Sequence, residues 1–349
     1  DRILFPHLVY SHRRMAEFLS ASPESLVLVP NATIGINSVL RSYPFQKGDR
    51  VLLYNLAYGA VKKATNAICG SAGAVIDEVN VSYTKAINMK SEKAFEELIR
   101  KNVREDTKLV IIDHTTSNTA LNLPVEKLVK ACKKMNPAVK VLIDGAHGLL
   151  AKPLDFRELS KCGVDYYVSN GHKWFSSPKG FGFLWVRDEL RDSVHPLAVS
   201  HGHDCGFLSE FSWQGCTDYS AWLSIPVLID FWEAMDPNKV REFQASLLHE
   251  AVGLLKQDWK QLGTSEEEKD LILPHCISPM TLVKLPPTLQ KGKAYGEHLQ
   301  NMLHFDHKIE VPVKHVEGDL YVRLSAHIYN SIENYADLSL AVRKIAGNL

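Results

Sequence analysis

The chain has 349 residues, 45% of them hydrophobic and 23% charged, a composition that excludes collagen-like, low-complexity and disordered classes. Forty basic residues balance forty acidic ones. No global field therefore favours nucleic acid or an anionic membrane, and no Lys/Arg run supplies a local one.

The chain starts DRILFPHLVYSHRRM, with no initiator Met and no signal-peptide pattern, so part of the native N-terminus is expected to precede it. From about residue 25 to 190, apolar runs alternate with helical patterns. LVLVP (26–30) leads to ATIGINSVLRSYP, and RVLLYN (50–55) leads to AYGAVKKATNAICGS. AVIDEVNV (74–81) is a further strand, and the polar SEKAFEELIRKNV (91–103) precedes KLVIIDH (108–114). PVEKLVKACKKMN (124–136) precedes KVLIDGAH (140–147), VDYYVSN (164–170) ends at GHKW, and GFGFLWV (180–186) closes the series. Continuous Val/Ile/Leu runs separated by helices predict an α/β unit with a mostly parallel sheet covered on both faces.

Beyond Trp213 the pattern changes. Residues 219–262 read as a long helical region, and the charged TSEEEKD (264–270) interrupts it. The most apolar part, 221–235, contains Pro226, Asp230 and Glu233. It reads as a buried helix, because a membrane span needs roughly 18–20 uninterrupted apolar residues. MTLVKLP (280–286), DLYVRLSA (319–326) and a terminal helix, IENYADLSLAVRKIAG, suggest a smaller α+β unit. The expected domains are 1–235 and 236–349. Six scattered cysteines (Cys69, Cys132, Cys162, Cys205, Cys216, Cys276) form no CxxC pair. They read as free thiols of a reducing compartment, the cytoplasm, although an upstream organellar transit peptide is compatible with this start.

Ligands of open α/β sheets bind beyond the carboxyl ends of the strands. Four strands here end in polar residues: Asn31-Ala32-Thr33, then His114 to Asn118, then Asp144 to His147, then Ser169 to Lys173. Thr33 at a helix start suits a phosphate, or is a plain N-cap. Asp144 after an apolar strand needs a cationic partner such as a protonated ring nitrogen, or serves a structural ion pair. Lys173, beside His172, can form a Schiff base if its pKa is lowered. Phosphate site, carboxylate and lysine together describe pyridoxal phosphate. A metallohydrolase using His114, Asp144, His147 and His172 is the competing class, and a catalytically inert binding protein is a third. The His201, His203, Asp204 cluster lacks the ligand spacing of a zinc site, and no metal is expected.

Six motifs carry a resemblance: NATIGIN (31–37), DHTTSNTALNLP (113–124), LIDGAHG (142–148), VSNGHKWFSSPKGFGFLWV (168–186), WQGCTDYSAWLSIP (213–226) and YVRLSAHIYN (321–330). In this order they resemble the class V aminotransferase family of fold-type I pyridoxal-phosphate enzymes. That family includes cysteine desulfurases, isopenicillin N epimerase-like proteins and C–S lyases. The resemblance implies a large cofactor domain, a smaller C-terminal domain and a homodimer. It assigns Lys173 to the Schiff base, Asp144 to the pyridine nitrogen, and His147 and Asn118 to the neighbourhood of the phenolic oxygen. Ala32, Thr33, Asn170 and His172 would hold phosphate, Tyr58 would stack on the ring, and Arg323 would bind the substrate α-carboxylate. Where many relatives have Gly-Thr, this chain has Gly215-Cys216, so Cys216 or Thr217 would face the partner's phosphate. A persulfide-forming desulfurase needs a cysteine shortly before the carboxylate arginine, and none lies between Met280 and Arg323. The expected reaction is C–S elimination on cysteine or a derivative. Epimerisation is the runner-up, followed by transamination and desulfuration.

Overall fold

The computed structural model describes residues 2–88, 93–264 and 278–347. The apolar runs become strands because side chains on both of their faces are buried: all residues of Leu26–Val29, Tyr166–Asn170 and Gly182–Val186 are buried. The strands are β1 (Leu26–Val29), β2 (Arg50–Tyr54), β3 (Val75–Val79), β4 (Thr107–Asp113), β5 (Lys140–Asp144), β6 (Tyr166–Asn170), β7 (Gly182–Val186), β8 (Met280–Lys284), β9 (Val313–Val316) and β10 (Asp319–Ser325). The helices are α1 (Leu4–Phe18), α2 (Ala32–Ser42), α3 (Gly59–Ser71), α4 (Tyr83–Asn88), α5 (Lys93–Asn102), α6 (Val125–Met135), α7 (Phe156–Cys162), α8 (Phe207–Ser212), α9 (Ser220–Leu223), α10 (Ile225–Met235), α11 (Pro237–Trp259), α12 (Lys293–Phe305) and α13 (Ile332–Gly347).

Two compact units emerge. The first comprises Asp1–Asn80, Ser91–Thr116 and Leu123–Pro237. Its seven-stranded sheet runs β1-β7-β6-β5-β4-β2-β3, parallel except for β7, which pairs antiparallel with β1 and β6. One face packs α2 and α3 through Ile36, Val39, Val61 and Cys69 against Leu109, Ile111, Leu142 and Val168. Gly35 permits the close approach of α2, since a Cβ there would sit 2.9 Å from Val168 Cγ1.

The second unit comprises Val81–Lys90, Ser117–Asn122 and Asn238–Leu349. Its antiparallel sheet, β8-β10-β9, shares a core with α11, α12 and α13 built on Leu248, Leu255, Val322, Leu299 and Val342. The segments 81–90 and 117–122, which the sequence places in the first domain, therefore pack with the second unit.

The helical region 219–262 is broken at Ser224 and at Asp236, which adopts φ +59°. Most of TSEEEKD, with Cys276, lies outside the described residues. Among the described residues no helix is long and apolar enough to cross a membrane.

Candidate active site

Because β7 alone runs against the sheet, β1, β2, β4, β5 and β6 all present their carboxyl ends at one edge. The DGAH loop follows β5. Asp144 is 4% exposed, and its Oδ1 accepts the Ala146 N–H at 3.0 Å. Burial pushes its carboxyl up from the ordinary value, while Ala146 and the Lys173 ammonium oppose that shift. Three residues after Asp144, the buried His147 places Nε2 3.0 Å from Lys173 Nζ. A lysine and an imidazole at this separation share or exchange a proton.

The loop's shape comes from its glycines. A Cβ on Gly145 would lie 2.2 Å from the Tyr167 ring, and one on Gly148 would lie 2.1 Å from its hydroxyl. Ser169 Oγ closes the turn, donating to Gly145 O at 2.5 Å and accepting the Leu149 N–H at 3.1 Å. Tyr167 Oη is fixed in turn by His114 Nδ1 at 2.8 Å, and burial pushes His114 down to about 3. His114 is therefore a neutral brace beneath the loop.

At the start of α2, Asn31 Oδ1 accepts the Ile34 N–H at 3.0 Å, and the Ala32 N–H donates to Asn170 Oδ1 at 2.8 Å. The Ala32 N–H is thus engaged within the protein, which narrows the expected anion contacts at this helix start to Thr33, which is exposed. His172 Nδ1 is buried and has no hydrogen-bond partner among the described residues. Burial, then Lys173, lowers the His172 pKa.

Tyr58 caps α3 and is 45% exposed. Its backbone N–H lies toward Asp113 at the end of β4 and favours that carboxyl's ionised form against burial. The signal for Asp113 was present: KLVIID and KVLID are two apolar runs that both end in Asp.

In the second unit, Arg323 Nη1 donates to Ser117 O at 2.5 Å, next to the exposed Asn118. Its buried Nε has no partner among the described residues. Burial lowers the Arg323 pKa. Cys216 and Thr217 are exposed on the turn before α9, apart from these hydrogen-bonded sets. Among the described residues no three His, Cys, Asp or Glu side chains converge as metal ligands. His114 instead faces Tyr167, and His203 pairs only with Asp204, at 3.5 Å.

The family description for class-V aminotransferases matches residues 8–278. The chain is 32% identical over 379 residues to "Putative L-cysteine desulfhydrase 1" of Oryza sativa subsp. japonica, spanning 99% of this chain and 76% of that protein. It is 26% identical to the isopenicillin N epimerase of Amycolatopsis lactamdurans, spanning 99% and 87%. The cystine C–S lyase C-DES, solved with its product cysteine persulfide, superposes with a TM-score of 0.76 at 18% identity, covering 98% of this chain and 87% of that one. The fold is that of the fold-type I pyridoxal-phosphate enzymes.

The residues fit that cofactor. Asp144 is a buried carboxylate whose ionised form calls for a cation. Lys173 is an amine beside a proton acceptor. The orphaned His172 nitrogen and the start of α2 suit phosphate oxygens. Pyridoxal phosphate is the cofactor of this chain.

Proposed function

We propose that the chain, which belongs to the class-V aminotransferase family, is a lyase that cleaves the Cβ–S bond of cysteine or a cysteine derivative, giving, with one water consumed, pyruvate, ammonia and sulfide or a thiol. The observation that carries it is the Lys173–His147 pair at 3.0 Å beside the buried Asp144. When bound, pyridoxal phosphate supplies an aldehyde for amines and a ring that withdraws electrons from Cα.

The protein's side chains supply the rest. Lys173 would hold the cofactor's aldehyde carbon through its Nζ, and the same amine would take the Cα proton as general base. His147 Nε2 accepts a proton from Lys173 Nζ and keeps that amine basic. Asp144 would hold a proton on the ring nitrogen by its negative charge. Thr33, Asn170 and His172 would bind phosphate, Ala32 fixes Asn170 through its N–H, Tyr58 would lie against the ring, and Asn118 would bind its phenolic oxygen. Arg323 clamps the substrate carboxylate with its planar fork.

The choice of elimination follows the name of the 32%-identical relative and the lack of a cysteine between Met280 and Arg323. The substrate is a small amino acid. We further infer a homodimer, with Cys216 and Thr217 facing the partner's phosphate. α1 and α10, tied by Arg14 Nη2 to Asp230 Oδ1 at 3.0 Å, expose Val9, Tyr10, Val227 and Phe231 to solvent, as does Ile3 just before α1. Apolar surface of this kind marks an interface. The free cysteines suit a reducing compartment, which we take to be the cytoplasm.

Purified protein supplied with pyridoxal phosphate should be yellow and should release pyruvate, ammonia and sulfide from L-cysteine. Lys173→Ala should lower that rate on the order of 10³-fold. A variant that keeps the wild-type rate overturns the assignment. Epimerisation without pyruvate would identify the reaction of the 26%-identical relative instead.

A further inference from the structure

Asp113 and Asp144 end neighbouring parallel strands as direct register partners. Their side chains leave the sheet on one face roughly 5 Å apart. They are 3% and 4% exposed. Two carboxylates this close and this dry do not both ionise near neutral pH. The charged groups facing Asp113 are Asp144 on β5 and Lys173 after β6, and the backbone N–H of Tyr58, the cap of α3, lies toward it.

The environment is asymmetric. Burial, then the Asp144 charge, drives Asp113 well above the ordinary carboxylate range. For Asp144, burial is countered by the Ala146 N–H and Lys173. Asp144 therefore ionises first.

Resting on the cofactor reading above, we propose that Asp113 is a positioning residue: it keeps its proton beside an ionised Asp144 and anchors the backbone of Tyr58. One side chain thus sets both the carboxylate assigned to the ring nitrogen and the aromatic assigned to the ring face.

Asp113→Asn keeps the shape, accepts the Tyr58 N–H and cannot ionise. The test compares thermal unfolding of wild type and variant as full chains, freed of cofactor, at pH 5 and pH 8. The unfolded chain releases the Asp113 proton near the ordinary value, whereas the folded chain keeps it, so wild type loses stability through Asp113 as pH rises. The Tm difference, variant minus wild type, should therefore increase from pH 5 to pH 8, on the order of 2 °C per pH unit. A constant or falling difference overturns the protonated Asp113. In an Asp144→Asn background the increase should shrink, because the facing charge is gone, without vanishing, because burial, the larger cause, remains. An undiminished increase overturns the pairing.

A titration with pyridoxal phosphate reads the Tyr58 contact. Asp113→Ala should weaken binding roughly 10-fold, and Asp113→Asn less than about 3-fold. Equal losses overturn the positioning role. Wild type that binds no pyridoxal phosphate sinks the cofactor reading and this role with it, while the melts still decide the proton. Should Asp113→Asn not fold, the infrared spectrum of wild type at pH 7 decides: a protonated-carboxyl band that shifts on carbon-13 labelling of aspartate is expected, and its absence overturns the proposal.

Discussion

Tyr167 sits where three constraints meet. Its ring fills the space left by Gly145 and Gly148, it packs at right angles to Phe156 at a centroid distance of 5.2 Å, and its hydroxyl meets His114 Nδ1. The loop that carries His147 is thus moulded on a rigid phenol. His114 makes that support pH-dependent. In the folded chain it takes a proton only near pH 3, whereas in the unfolded chain it does so near 6.5. Its contribution is fully present above pH 6.5 and is lost as pH falls toward 3. The full linkage is about 5 kcal/mol, and partial exposure of the ring reduces it to about 2–4 kcal/mol. His114→Gln, which can still bond Tyr167, should lose that much less stability than wild type between pH 6.5 and 3.5, measured by denaturant unfolding. Equal losses would remove His114 from the account.

Helix α2 shows how an element delivers chemistry. Its N-terminus is aimed by the Asn31 cap, by the Ala32–Asn170 bond and by the missing side chain of Gly35 against Val168. Asn31→Ala should cost about 1 kcal/mol of stability and, by loosening Thr33, should also weaken the binding of pyridoxal phosphate. Fluorescence titration beside a denaturant melt checks both, and unchanged affinity would take Thr33 out of the phosphate site. α2 and its strand were legible because NATIGIN follows an apolar run with cap residues in place. Strands β4 to β7 were legible because burial on both faces leaves continuous apolar runs. β9, reading VKHV with three of four residues not fully buried, carries no such signal. Asp144 could be read from its motif, and Asp113 showed only as the end of a second apolar run; its pairing with Asp144, a strand neighbour 31 residues away (144 − 113), is decided by the sheet register. The same holds for segments 81–90 and 117–122, whose unit is decided by contacts distant in sequence.

For the molecule as a whole, neutral net charge leaves apolar surface as the main driver of self-association. Val227, 71% exposed on α10, is the natural probe: Val227→Lys should convert a dimer to a monomer in sedimentation and lower activity with it. A monomeric wild type, or an unchanged assembly in the variant, would reject this interface. The reversed strand β7 has a last consequence. The chain leaves β6 and re-enters β7 at the same edge, where Asn170 faces Gly182 and the Gly171 N–H bonds Phe181 O at 2.9 Å. Lys173 therefore rides on a loop clamped at both ends by the interior of the sheet. The amides at the loop's two ends, bonded across β6 and β7, should exchange slowly, so the backbone that carries Lys173 stays in place while its side chain moves.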